Sequence, residues 1–320
     1  MTVRVYRYDD ASAPVLTGAI GSVNDLIRAC LVTGYGAKAG AGWTEEFIGT
    51  ETNISAYKMG AAPFNYLRVN DSAAVSSNSY TRIIGYNTMT DINTGTNPFP
   101  TEAQVAGGLY FWKSLDGTTA RPWMIIADNN AFWLFQYKGA TIAQGFTSTT
   151  HCDNLFFGKL FGTASGDTNS TTIIANQTTG NSYVMGGTAD FSNINGHYIN
   201  NRYDGSINTD SSIQTGKRPL LNIGTNNLGV TTTQAYPDPV TNGLLLSRVY
   251  IGQSSAPIFL RGYLPGMWSS INLSNSTIVN GDTFSSVING VTRTFICMGL
   301  SFTSQTGFRG IFEISDTWEL

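Results

Sequence analysis

At 320 residues the chain is long enough to bury a large core as one or two domains, and only 12% of it is charged, roughly half the usual share. Eighteen Lys and Arg against 21 Asp and Glu give a net charge of −3 with no basic cluster, which excludes a nucleic-acid backbone as the main partner. Aromatic residues at 12%, beside abundant Gly, Asn, Thr and Ser, exclude disorder and favour many short strands joined by tight turns.

In chain order, TVRVYR (residues 2–7) alternates and predicts a strand. The stretch Ser22 to Phe47 then carries the one clear amphipathic helix. Val23, Leu26, Ile27, Cys30 and Leu31 fall at i, i+3, i+4, i+7 and i+8, an apolar stripe. Ser22 is the expected N-cap, Asp25 completes a short-armed capping box, and Gly34 supplies the left-handed residue that ends the helix. A lone helix of about 12 residues is marginal in water, so the stripe must lie against a sheet.

Trp43 to Ile48, Tyr66 to Val69 and Thr81 to Met89 read as strands, with a polar loop from Asn70 to Asn78. Thr94 to Thr101 (TGTNPFPT) is expected to be an extended surface connection rather than a core element. From Gly107 to Phe161, LYFWKS, RPWMIIAD, AFWLFQY and NLFFGKLF predict an aromatic-cored meander, punctuated at Asp116-Gly117 and at Asp128 to Asn130. Trp112, Trp123 and Trp133, with Phe111, Phe132, Phe135 and Tyr137, supply its core, and the helix covers one face.

Gly162 to Thr172 is small and polar and is the best boundary candidate. It divides the chain into an α+β domain (1–165) and a β-rich domain with long loops (166–320), unless the two are continuous. Residues 173–235 read as long loops and edge strands. After Gly243 come LLLSRVYIG, PIFLRGYLPGMW, hairpin turns at Asn280-Gly281 and Asn289-Gly290, and the closing GIFEISDTW. The expected fold class is mainly β with one or two short helices (α+β), in β-sandwich or meander-type sheets with long polar loops. No heptads, collagen triplets or fixed-period repeats occur, so no fibre shaft is encoded.

Motifs of chemistry are few. GYGAKA (Gly34 to Ala39) matches a dinucleotide fingerprint as a string, but it follows a helix instead of opening one and reads as helix termination. SAYK (Ser55 to Lys58) matches the serine acyl-enzyme motif without its companion motifs or an evident helix. His151, Cys152 and Asp153 are adjacent, and adjacent strand residues point to opposite faces. With His197 the only other histidine, little material exists for a zinc site or a triad. Glu45, Glu46, Asp167, Asp190, Asp204 and Asp210 are the acids available for a glycoside-hydrolase pair, and sequence brings no two of them together. No catalytic residue, cofactor or metal is therefore expected. The three cysteines, Cys30, Cys152 and Cys297, are expected as free thiols. NGHYINNRYDG (Asn195 to Gly205) reads as an exposed loop. It offers Tyr198, Asn200, Arg202 and Tyr203 as candidate contacts to a glycan or a protein partner.

Several stretches resemble a group of uncharacterised structural proteins of tailed bacteriophages. They are SAPVLTG (Ser12 to Gly18), LIRACLVTGYGAKAGAGWT, LRVND, IIGYNTMTDINTGTNPFPT, GGLYFWKS with ARPWMIIAD, DPVTNGLLLS, RGYLPGMW, GDTF and ISDTW. The landmarks run nearly end to end in one order, and none is a catalytic motif. The resemblance implies a virion component in the tail or baseplate, or decorating the capsid or neck. Its partners would be other virion proteins and copies of itself, with no membrane insertion. A receptor-binding module for host surface glycan is the alternative, and a glycan depolymerase the third reading. MTVRVYRYDD lacks the apolar core of a secretory signal, so synthesis in the host cytoplasm is expected.

Overall fold

A strand covered on both faces needs apolar residues at every position, not at alternate ones, and WMIIA and AFWLFQY are such strands. The computed structural model describes residues 1–50, 53–73, 80–113, 117–137, 152–162, 164–177, 196–207, 244, 246–253, 259–270, 280–299 and 309–318. In chain order its strands begin with β1 (Arg4–Arg7), β2 (Thr44–Ile48), β3 (Ile54–Lys58), β4 (Tyr66–Asn70), β5 (Tyr80–Tyr86) and β6 (Thr88–Asp91). Next come β7 (Thr94–Thr96), β8 (Leu109–Trp112), β9 (Trp123–Ala127), β10 (Ala131–Tyr137), β11 (Cys152–Lys159) and β12 (Thr171–Ile174). The last are β13 (His197–Ile199), β14 (Leu246–Gln253), β15 (Phe259–Ser270), β16 (Thr283–Ile288), β17 (Val291–Gly299) and β18 (Arg309–Glu313). Among the described residues there is one α-helix, α1, Ser22–Ile27. The fold is mainly β, as expected.

Among the described residues three larger antiparallel sheets form three layers, beside a two-stranded β6-β7 ribbon. The middle layer runs β1-β9-β10-β11-β12-β13, and every residue of β9 and β10 is buried. One face carries Met124, Ile126, Trp133, Phe135 and Phe156, which share a core with Met267, Ile296, Met298 and Phe312 of the sheet β14-β15-β18-β17-β16. The other face carries Ile125, Phe132, Leu134, Leu155 and Phe157. These share a core with the helix stripe and with Tyr57, Leu67, Val69 and Ile83 of the sheet β2-β3-β4-β5-β8. The boundary expected near residue 165 falls inside the middle sheet, because β12 and β13 follow it in the chain and extend that sheet.

The helix stripe is wholly buried, with Val23, Leu26, Ile27, Cys30 and Leu31 all at 0% exposure. Its ends differ from the expectation. Gly21 (φ 82°), not Ser22, occupies the N-cap position, and no side chain of that residue caps the helix. The orphan amide of Val23 is instead satisfied by the carboxylate of Asp71, 2.8 Å away, a charge held in place by the next sheet. The Ser22 hydroxyl accepts from the Thr17 amide, and Asp25 pairs with Arg28. Beyond Ile27 the helix widens to a π turn, Arg28–Thr33, closed by Gly34 N–H donating to Ala29 C=O at 2.8 Å. The carbonyls of Cys30 and Leu31 accept from the amides of Ala41, Gly42 and Trp43, so the returning loop takes the bonds that a longer α-helix would have made. Gly34 ends the element as expected, but with φ 78° and an extended ψ of 172° instead of the left-handed helical conformation.

Three further corrections follow. LYFWKS does not join the aromatic meander: β8 pairs with β5 in the outer sheet. ISAYK forms the interior strand β3, between β2 and β4, which the sequence reading treated only as a motif string. TGTNPFPT is not merely a surface connection, since Phe99 is 2% exposed, exchanges both backbone hydrogen bonds with Gly85, and stacks on Phe157. Gly85 is required there, because a Cβ would lie 2.3 Å from the Phe99 ring. The Asn289-Gly290 hairpin is as expected, with φ 49° and 79° at the two turn residues, a type I′ turn between β16 and β17. Asp116 and the STIV segment before Asn280 lie outside the described residues, as do most of residues 173–235.

Candidate functional site

The loop after β13 is where the sequence offers surface contacts, and it is built from short polar residues that bond to one another. The amide of Asn200 donates to Thr171 C=O, and its Nδ2 to Asn87 Oδ1 at 3.0 Å. Asn87 returns its own Nδ2 to Asn201 Oδ1 at 3.0 Å, and Asn201 Nδ2 reaches Gly205 C=O at 2.8 Å. A bridge between Asn201 and Ile207 and the bond from Arg202 N–H to Ser206 C=O close the loop as a small hairpin. At its tip the Asp204 carboxylate accepts from the Ser206 hydroxyl (2.7 Å) and amide (3.0 Å), an Asx-type turn. Those bonds hold its pKa below the ordinary carboxylate value.

Beneath the loop lies Arg261, whose side chain is wholly buried with that of Asp167. Its Nη2 donates to Asp167 Oδ2 at 3.0 Å and to Asn169 C=O at 2.6 Å, while Nη1 donates to Asn201 C=O and Gln253 Oε1, both at 3.0 Å. Gln253 Oε1 also accepts from the Tyr203 amide. The planar fork of the guanidinium thus pins β14, β15 and the loop in one geometry.

This arrangement divides the four candidate contact residues. Tyr198 (1% exposed) and Asn200 (3%) are buried and are not surface contacts. Tyr198 lies in the core beneath the helix, where burial pushes its pKa up to about 12. The reason is that HYI pairs with β12 as a strand instead of standing out as a loop. Arg202 is half-buried, and Tyr203 is exposed at 48%, with Ile207 beside it at 54%. The side chains this loop leaves exposed are therefore those of Tyr203 and Ile207, on a loop fixed by Asn87, Asn201 and Arg261. Sequence reasoning missed these three supports, and only the run of asparagines hinted at them.

The other motif residues have structural positions. Ser55 is buried and Lys58 half-exposed on β3, and residues three apart on a strand face opposite ways. Asp153 accepts from Trp112 N–H (2.6 Å) and Asn176 Nδ2 (2.8 Å), tying the middle sheet to β8. His197 is fully buried with no partner for either ring nitrogen, and burial lowers its pKa to about 3. Glu45 pairs with Arg28 and Glu46 with Lys58, while His151, Asp190 and Asp210 lie outside the described residues. Cys30 and Cys297 are buried free thiols, and burial raises the Cys30 pKa. Among the described residues no three His, Cys, Asp or Glu side chains converge as metal ligands, and no helix is long and apolar enough to cross a membrane. No protein-family model and no curated protein matches this chain.

Proposed function

We propose that the chain is a structural protein of a tailed-bacteriophage virion, contacting other virion proteins and copies of itself in the tail or baseplate, or as a capsid or neck decoration. The observation that carries this reading is where the family-like landmarks fall in the fold. LIRACLVTGYGAKAGAGWT is the buried helix with its π turn, IIGYNTMTDINTGTNPFPT holds Gly85 and Phe99, and GGLYFWKS with ARPWMIIAD supplies β8 and β9. RGYLPGMW and ISDTW meet where Gly266 lies against the Trp318 ring. Each of these landmarks is framework, which suits a module selected for shape. Low charge adds support, because extended protein–protein contact disfavours Lys and Glu. Imaging of the particle with this chain labelled tests the reading. It should be multi-copy and bury more than about 1,000 Å² against neighbours.

Tyr203 and Ile207 on their fixed loop favour a second reading, recognition of host surface glycan by stacking on the exposed ring. Binding of host polysaccharide lost in Tyr203→Ala, with the thermal midpoint unchanged, would support it. Against a depolymerase, Asp167 and Asp204 are engaged in an ion pair and a turn. Release of reducing sugar by the pure protein, abolished by changing one Asp or Glu, would defeat the structural reading.

A further inference from the structure

Every sheet edge presents backbone donors and acceptors to any strand that can reach them, and folded chains ordinarily block those edges. Here the blocks are visible one by one. β1 carries Arg4 and Arg7, and the Lys38 ammonium donates to Val5 C=O. β2 carries Glu45 and Glu46 and is broken by a bulge. β8 is tied off through Tyr110 to Asn176 and through the Trp112 amide to Asp153. β13 is three residues long, and β14 carries Arg248 and two register shifts. In the small β6-β7 ribbon the register is again broken, beside Asp91.

Among the described residues, the remaining edge, β16, has none of these devices. Its sequence TFSSVI has no charge, no proline and no glycine, and its six-residue register with β17 is unbroken. The two-residue turn makes Ile288 and Val291 a hydrogen-bonded pair, so Phe284, Ser286 and Ile288 turn their backbone groups toward β17. Thr283, Ser285 and Val287 then aim their amides and carbonyls outward. The same three residues have exposed side chains, with Val287 at 64% and Val291, across the turn, at 49%.

We infer that β16 is a self-association edge, which pairs antiparallel with β16 of a second copy of this chain to join two sheets into one. A two-fold contact sets each residue against itself or its mirror, so any charge near the axis would repel its own copy. An uncharged strand meets that requirement, and β16 is the described edge strand of that length without charge. Centring the axis on Ser285 sets Thr283 against the partner's Val287 and gives every outward amide and carbonyl a mate. One such ladder is short beside a standard interface, so free chains associate weakly and many copies held in an array associate far more firmly. The inference stands on the edge itself, independent of any virion role.

Sedimentation velocity of the full chain over a wide concentration range tests it directly. The wild type should move from one chain toward two as concentration rises. Ser285→Lys and Val287→Lys, each at an exposed position, should weaken that association about tenfold while leaving the thermal midpoint unchanged. Thr94→Lys, exposed on the β6-β7 ribbon, should leave the association intact. A wild type that stays a single chain at every concentration overturns the inference. So does a dimer indifferent to both β16 substitutions, and so does a lone chain that uses β16 to bind a different virion protein.

Discussion

Lys113 and Asp71 have no exposed side-chain surface, and they sit 2.6 Å apart where β8, the end of β4 and the start of α1 converge. Lys113 also donates to the carbonyls of Ala19 and Ala73, and Asp71 accepts from Thr81 and from the Val23 amide. Removing one partner strands a buried charge, so Lys113→Met should cost about 3–5 kcal/mol in chemical denaturation. Combining it with Asp71→Asn should recover part of that loss, and no recovery would mean that the pair is not the source. His197 sets a second expectation at this scale. An unfolded histidine takes up a proton near 6.5, whereas the folded site holds out to about 3, so the unfolded chain binds more protons between those values. Stability is full above about pH 6.5 and falls as the pH drops below it, by about 1.4 kcal/mol per pH unit while that gap lasts. His197→Leu should flatten the decline of the melting temperature between pH 6.5 and pH 4, and an unchanged slope would show the imidazole is not the group responsible. Neither role was legible in the sequence. LYFWKS and HYI say nothing about which distant carboxylate or core will enclose the polar residue.

Among the elements, α1 and the β16–β17 hairpin were legible because their determinants are local. A 3.6-residue stripe buries one helix face, and Asn-Gly satisfies the positive φ that the turn demands. The π turn was not, because the carbonyls of Cys30 and Leu31 are claimed by a loop that returns ten or so residues later. The swap of β8 into the outer sheet was equally hidden, since an apolar strand does not name its partner. Leu26→Ala should cost roughly 2–5 kcal/mol, read as a lower melting temperature. Gly85→Ala should also destabilise, although alanine is the better strand former by propensity, because its methyl group occupies the space of the Phe99 ring. A neutral result would mean that the Phe99 segment can lift away without loss.

For the whole molecule the informative contact is that of Trp133 and Phe135 with Phe312, at ring separations of 5.0 and 4.7 Å, which puts β10 and β18 in one core. The polar stretch Gly162 to Thr172 suggested a boundary because its composition is that of a surface loop. Composition cannot register that the chain re-enters the same sheet directly afterward. Calorimetry should therefore give a single cooperative unfolding transition, with van't Hoff and calorimetric enthalpies in agreement. Two separated transitions would restore the division near residue 165.

The double-sided middle sheet also dictates when the molecule can exist at all. Chains leave the ribosome from the N-terminal end, and the helix side of β9 to β11 can be dried by residues already made. The opposite side, with Trp133, Phe135 and Phe156, stays wet until β15, β17 and β18 have emerged, and the Val3 amide finds its acceptor only at Asp316. A ribosome paused between β13 and β18 thus holds a sticky aromatic plane open to water. The codons for β15 to β18 decide whether that plane becomes a core or a precipitate.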